Sequence, residues 1–187
     1  MITTNCNEIK IVIGSWGSYN ACNQRALGSK WITLSNYSDW EEIEEELQKQ
    51  GFELEGIDEE LFVQDIENLE LEGVNTDYLN PKRLFEILNE SGVLLDNNKL
   101  ELMEAFIEVR SFKEFEDRVE KDGEYWDDDI HIYPNYDWED YGREMFNNCG
   151  YELPGDLENY FDFEEYGESF SYSGNIEKFS GGLIEIN

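Results

Sequence analysis

Near its start the chain sets Ile9, Ile11 and Ile13 in alternation with Lys10 and Val12, and Gly14 follows. Period-two alternation predicts a strand that stops at the glycine. A polar loop with Gly17, Asn20 and Asn23 leads to a second apolar run, Trp31-Ile32-Thr33-Leu34, so a hairpin-like pair is expected. The spacing then becomes helical. Ser38-Asp39-Trp40-Glu41 has the form of a capping box, Trp40, Ile43 and Leu47 share one face, and Gly51 ends the helix. Leu61-Phe62-Val63 reads as a further short strand, which completes a first α+β unit over residues 1–78.

The middle reads as helix alone. Asn80-Pro81 puts proline at a first helical position, with Leu84, Phe85, Ile87 and Leu88 as the apolar face and Gly92 as the stop. A second helix from about Asn98 turns Leu100, Met103, Phe106 and Ile107 inward. Ser111-Phe112-Lys113-Glu114 is another capping box, continued by Phe115 and Val119. Residues 79–121 are therefore expected to form a short helical bundle. The last third, 122–187, mixes types again. Ile130-His131-Ile132-Tyr133 before Pro134 predicts a strand, and Trp138, Tyr141 and Met145 predict a helix ending before Gly150. Pro154 is expected to open another helix with Leu157, Tyr160, Phe161 and Tyr166 inward. Phe170 and Tyr172 are expected to begin a strand, and Leu183-Ile184-Glu185-Ile186 to form the final one. No fixed-period repeat is present. The expected fold class is α+β, as three small domains: sheet plus helix, helical bundle, sheet plus helices.

Composition supports folded domains. Aromatic residues make up 14% of the chain and hydrophobic residues 40%, which argues against a disordered acidic tail. Nothing approaches a membrane span or a signal peptide, and Cys6, Cys22 and Cys149 fit free thiols in a reducing cytoplasm. Charge changes the picture most. The net charge is −32, from 45 acidic and 13 basic residues. Residues 1–38 are net +2, 39–81 net −15, 82–118 net −3, 119–177 net −16, and the last ten balance. Two strongly acidic regions flank a nearly neutral one, a division that a uniform solubility bias does not predict. Phosphates would be repelled, so the fitting partner carries a large positive surface and nucleic acid is not a direct ligand.

Catalytic motifs are missing. His131, the only histidine, sits between two isoleucines in an expected strand, and a structural or exposed histidine is its plain reading. Gly14-Ser15-Trp16-Gly17-Ser18 is not a nucleophile elbow, and neither a phosphate loop nor a dinucleotide fingerprint occurs. Asp127-Asp128-Asp129 lacks the spacing of a calcium loop. With so many acids, a close carboxylate pair carries no information about glycoside chemistry. No metal and no cofactor is expected, and the chain is not expected to be an enzyme.

The acids themselves are ordered. Glu41, Glu42, Glu44, Glu45 and Glu46 lie away from the Trp40-Ile43-Leu47 stripe. Glu41/Glu45 and Glu42/Glu46 are like-charge pairs four apart, each costing roughly 0.2–0.5 kcal/mol, and Glu45 alone gains a partner, Lys49. Asp137, Glu139, Asp140 and Glu144, then Glu158, Asp162, Glu164, Glu165 and Glu168, repeat the arrangement. One such face is ordinary for a solvated helix, but ordinary faces mix lysine with glutamate. Duplex DNA carries one charge per roughly 1.7 Å of axis, so this net charge equals that of about 54 Å of duplex. The expected partner-binding acids, imitating phosphates, are Glu41, Glu42, Glu45, Glu46, Asp127, Asp128, Asp129, Asp137, Glu139, Asp140, Glu144, Glu158, Asp162, Glu164, Glu165 and Glu168.

Several segments, in order, resemble the ArdA antirestriction family. Tyr19-Asn20 with Leu27-Gly28-Ser29-Lys30-Trp31 is similar to its early Tyr-Asn, Gly-x-Trp segment. Glu60-Leu61-Phe62-Val63-Gln64-Asp65 resembles its acidic-bounded strand. Residues 150–167, with Leu153-Pro154, Leu157-Glu158-Asn159-Tyr160-Phe161-Asp162 and Tyr166-Gly167, are similar to its Leu-Pro, Leu-x-x-Tyr-[Ile/Phe]-Asp and Tyr-[Ala/Gly] signature. The loop from Tyr19 to Trp31 is longer than the family's, and Ala21-Cys22 replaces its glycine-containing turn. The resemblance implies an elongated three-domain homodimer from a mobile element or phage, working in the bacterial cytoplasm. It implies occupancy of the DNA-binding groove of type I restriction-modification enzymes, which protects incoming DNA. Leu153, Pro154, Leu157, Tyr160, Phe161 and Tyr166 should then lie near the dimer contact. An acidic module that sequesters another basic DNA-binding or defence protein is the alternative.

Overall fold

The computed structural model describes residues 5–71 and 73–187. Contacts divide the chain after Trp126 into two compact units, the second being Asp127–Asn187. The class is α+β, with seven α-helices and two three-stranded antiparallel sheets among the described residues.

In the first unit β1 (Lys10–Ser15) is the middle strand, between β2 (Ile32–Thr33) and β3 (Leu61–Glu67). Both neighbours are antiparallel to it, β2 as the expected hairpin-like pairing and β3 as a partner the sequence did not indicate. Ile11, Val12 and Ile13 are all buried, so β1 is covered on both faces. Gly14 does not stop the strand. A Cβ there would lie 2.5 Å from the Phe62 ring, so the glycine instead admits a close cross-strand aromatic. Val12 faces Asp65 and Ile13 faces Val63, which leaves Gln64 as a bulge residue.

The expected polar loop contains α1 (Trp16–Ala21). Ser15 caps it by accepting from Ser18 N, and Cys22, in the left-handed region, ends it. Apolar periodicity could not reveal so short a helix, because one buried residue, Ser18, is polar. α2 (Trp40–Lys49) buries Trp40, Ile43 and Leu47 as its spacing dictates. Its N-cap is Asp39, one residue later than the first residue of the expected box, and Glu42 Oε2 accepts from Ser38 N at 2.8 Å.

α3 (Pro81–Glu90), α4 (Asn97–Val109) and α5 (Phe112–Asp122) follow, capped by Asn80, Asp96 and Ser111. Their apolar faces close over Trp126, which meets Phe115 and Phe106 edge-on and donates from Nε1 to Ser91 O at 3.1 Å. These helices also join the first sheet region: Cys6 N donates to Asn97 Oδ1 at 2.8 Å, and Trp40 packs on Phe85.

In the second unit β6 (Gly182–Ile186) is the middle strand, between β4 (Ile130–Pro134) and β5 (Ile176–Phe179). α6 (Trp138–Asn148) packs on the six-residue α7 (Phe163–Glu168). Cβ atoms at Gly142 and Gly167 would come within about 2.0 Å of Phe163 O and Trp138 O, so only paired glycines allow this approach.

Two expectations fail here. Pro154 opens no long helix: residues 154–157 form a turn, Glu158–Tyr160 a 3-10 turn, and helix begins only after Asp162. Asp162 caps that helix by accepting from Glu165 N at 2.9 Å, which fixes the start at Phe163, nine residues late. Leu157 and Tyr160 consequently point to solvent, 52% and 84% exposed, while Phe161 and Tyr166 are half-buried. Phe170 and Tyr172 begin no strand but sit in a 3-10 turn, Ser169–Ser173. Ser169, Ser171 and Ser173 hydroxyls each donate to the carbonyl three residues back, at 2.6–2.8 Å, and this local bonding competes with extended structure.

Candidate partner-binding surface

The folds place the acids outward. Asp58 is the one fully buried acid among the described residues. Ser18 Oγ donates to it, Glu53 N donates to Oδ2 at 2.8 Å, and Arg25 Nε lies 2.8 Å away as an ion pair without a linear hydrogen bond. Burial pushes its carboxyl up, but the bonds from Glu53, Ser18 and Ser15 and the Arg25 charge outweigh that and hold it below the ordinary range. Asp58 thus anchors the 53–60 loop to α1. Its neighbours in the chain, Glu59 and Glu60, are exposed, so charge pattern alone could not single it out.

On α2, Glu41, Glu42 and Glu45 are exposed, and Glu46 is half-buried. Four acids of this helix also bond locally. Trp40 Nε1 donates to Glu44 at 2.7 Å, Gln50 Nε2 to Glu46 at 3.0 Å, Ser38 N to Glu42, and Lys49 lies 4.0 Å from Glu45. The three hydrogen bonds restrict where the Glu42, Glu44 and Glu46 carboxylates sit. The field they produce is felt nearby: burial and then the Glu46 and Glu42 charges push the Tyr37 hydroxyl up.

In the second unit Asp127 is half-buried, and Asp128 and Asp129 are exposed before β4. Asp137 and Asp140 form a reciprocal capping box at the start of α6. Glu139 pairs with Arg143, and the Tyr136 hydroxyl donates to Glu144. Glu158 stands in the exposed turn, Asp162 caps α7, and Glu164, Glu165 and Glu168 are exposed on it. Burial followed by the charges of Glu185 and Glu144 pushes Tyr141 up to about 12. Tyr133, whose hydroxyl donates to Glu185 at 2.9 Å, is also raised, again first by burial. Both tyrosines stay neutral hydroxyls beneath an anionic surface.

Around the 153–166 segment, Tyr151, Leu157 and Tyr160 are each more than half exposed, Pro154 is exposed, and Leu153 is half-buried. His131 is exposed on β4 with its ring edge-on to Tyr133. Among the described residues no group of three or more His, Cys, Asp or Glu is placed to hold a metal ion. No helix among them is long and apolar enough to cross a membrane.

Fold and surface together define a class: a small α+β protein that buries aromatics and aliphatics and, among the described residues, fully buries one carboxylate, Asp58. The chain belongs to the ArdA family, whose model, described as Antirestriction protein (ArdA), matches residues 11–185. No curated protein sequence matches the chain.

Proposed function

We propose that this protein blocks restriction by imitating duplex DNA, and that it acts as a stoichiometric inhibitor rather than as an enzyme. Its target is a type I restriction-modification enzyme, whose DNA-binding groove it occupies inside a bacterial cell, protecting incoming mobile-element or phage DNA. The observation that carries this reading is the display of acids. Of 45 acidic side chains, one is fully buried among the described residues, and those on α2, α6 and α7 lie on helical faces nearly free of lysine. A basic groove that recognises phosphates responds to carboxylates by the same Coulomb attraction and counterion release.

The same reading takes the chain as three small domains, 1–78, 79–121 and 122–187, and as a homodimer. Support for self-association comes from Tyr151, Leu157 and Tyr160, large side chains that the turn leaves in solvent beside the Leu153-Pro154 signature. Exposed apolar groups clustered in one segment are a common mark of an interface.

The test is displacement of DNA from a type I methyltransferase core across a salt series. Inhibition should weaken steeply as salt rises. Salt-indifferent inhibition, or binding without loss of DNA, would reject the decoy. Capture of other DNA-binding proteins with no effect on the core would favour the sequestering module.

A further inference from the structure

Residues 127–187 hold sixteen acidic and two basic side chains, and one of the two, Arg143, sits on α6 amid the acids. On a surface meant to attract a basic partner, a guanidinium subtracts charge and works against the attraction. Its contacts account for its presence. Nη2 and Nε donate to Glu139 Oε1 at 2.8 and 3.2 Å, and Nη1 donates to Glu158 Oε1 at 3.4 Å. The guanidinium carbon lies 4.2 Å from the centre of the buried Phe163 ring. One side chain therefore touches α6, the 3-10 turn Glu158–Tyr160 and the first residue of α7. A planar fork can stack on a ring while bonding two carboxylates; a lysine ammonium cannot do all three.

We propose that Arg143 is a positioning residue of the decoy surface. It fixes the separation of Glu139 and Glu158 and holds the exposed turn against the α6–α7 pair, giving up one unit of negative charge to do so. This rests on the DNA-mimic reading. Arg83 bonds Glu116 and Glu120 in a similar way between α3 and α5, but there the chain is nearly neutral and a cation opposes nothing.

Charge and position predict opposite signs for Arg143→Gln, which makes the chain one unit more negative. If charge density alone sets potency, R143Q inhibits more strongly than the wild type. If Arg143 positions carboxylates, the half-inhibitory concentration of R143Q rises by roughly tenfold, as expected when charge-assisted bonds that fix geometry are lost. R143K, with charge kept and fork lost, should fall between, and the salt slope of R143Q should become shallower. Equal or stronger inhibition by R143Q overturns the proposal.

Amide hydrogen exchange supplies an arm that does not need the target. Glu158→Gln leaves Arg143 stacked on Phe163 and paired with Glu139, so it should keep the fold while freeing the turn. Exchange across residues 151–161 should then speed up by about tenfold relative to α6. Unchanged exchange in E158Q overturns the proposal even if R143Q fails to fold. Failure of the wild type to inhibit would instead sink the DNA-mimic reading, with the exchange result still deciding the role of Arg143.

Discussion

The two units solve the same architectural problem with different materials. Each has a three-stranded antiparallel sheet, but the first fully buries both aliphatic and aromatic side chains, whereas the second packs partly exposed rings around a few buried residues. Ile11, Ile13, Ile43 and Leu47 are fully buried in the first. In the second, the buried cluster is Tyr141, Ile176 and Leu183, with Tyr133, Tyr136, Trp138, Met145 and Phe170 packed partly exposed against it. The charge load differs too. Residues 127–187 carry sixteen acids against two bases, whereas residues 1–126 carry twenty-nine against eleven. The densely charged second unit buries Ile130, Ile176, Leu183 and Ile184 and adds edge-on aromatic contacts and a glycine-to-glycine helix approach.

The largest expected effect tests that contrast. Gly142→Ala puts a Cβ against the Phe163 carbonyl and should cost the second unit about 3 kcal/mol or more, because backbone must move. Calorimetry should show its transition lost or lowered while the first unit melts as before. A shift shared equally by both would break the comparison.

Asp58→Asn is the counterpart in the first unit and should cost about 2–3 kcal/mol, since Arg25 loses its buried partner. The folded carboxyl lies below its usual 3.8, so its stabilisation is present above that value and is lost as pH falls through the lowered one. Chemical unfolding should therefore show a gap between wild type and D58N that is full near neutrality and closes in acid. A gap independent of pH would contradict the assignment.

Charge position should matter next. Asp162→Lys removes the cap of α7 as well as a charge, so Glu164→Lys, on an exposed site, is the cleaner probe. It should weaken inhibition severalfold more than the same change at Glu8, which lies in the block of net +2. Equal effects would show that inhibition depends on total charge alone. The smallest effect is general: added NaCl should raise the melting temperature of the second unit by a few degrees and of the first by less, as screening relieves repulsion. A fall would refute the view that self-repulsion burdens the denser unit.

Much was legible in the sequence where local and tertiary preferences agree. The apolar stripes of α2, α3, α4 and α5 are buried as their spacing dictates, and Asn80 and Ser111 cap as their side chains allow. The acidic faces of α2 and α6 followed from the same spacing. The failures lie where short polar side chains decide locally. Asp162 and the serines at 169, 171 and 173 bond their own backbone, which ended a helix reading and a strand reading that apolar spacing alone supported.

By itself, then, the sequence determined how much charge the protein carries, in which blocks, on which helical faces, and that the cores are apolar. Those properties are local or additive along the chain. Only the tertiary structure decided that Asp58 is the buried acid, that Gly142 and Gly167 meet, and that Leu157 and Tyr160 face solvent. It also decided that Arg143 gathers Glu139, Glu158 and Phe163. Each of these depends on residues brought into contact from separate elements, or on a bond that competes with the pattern, and no periodicity records such encounters.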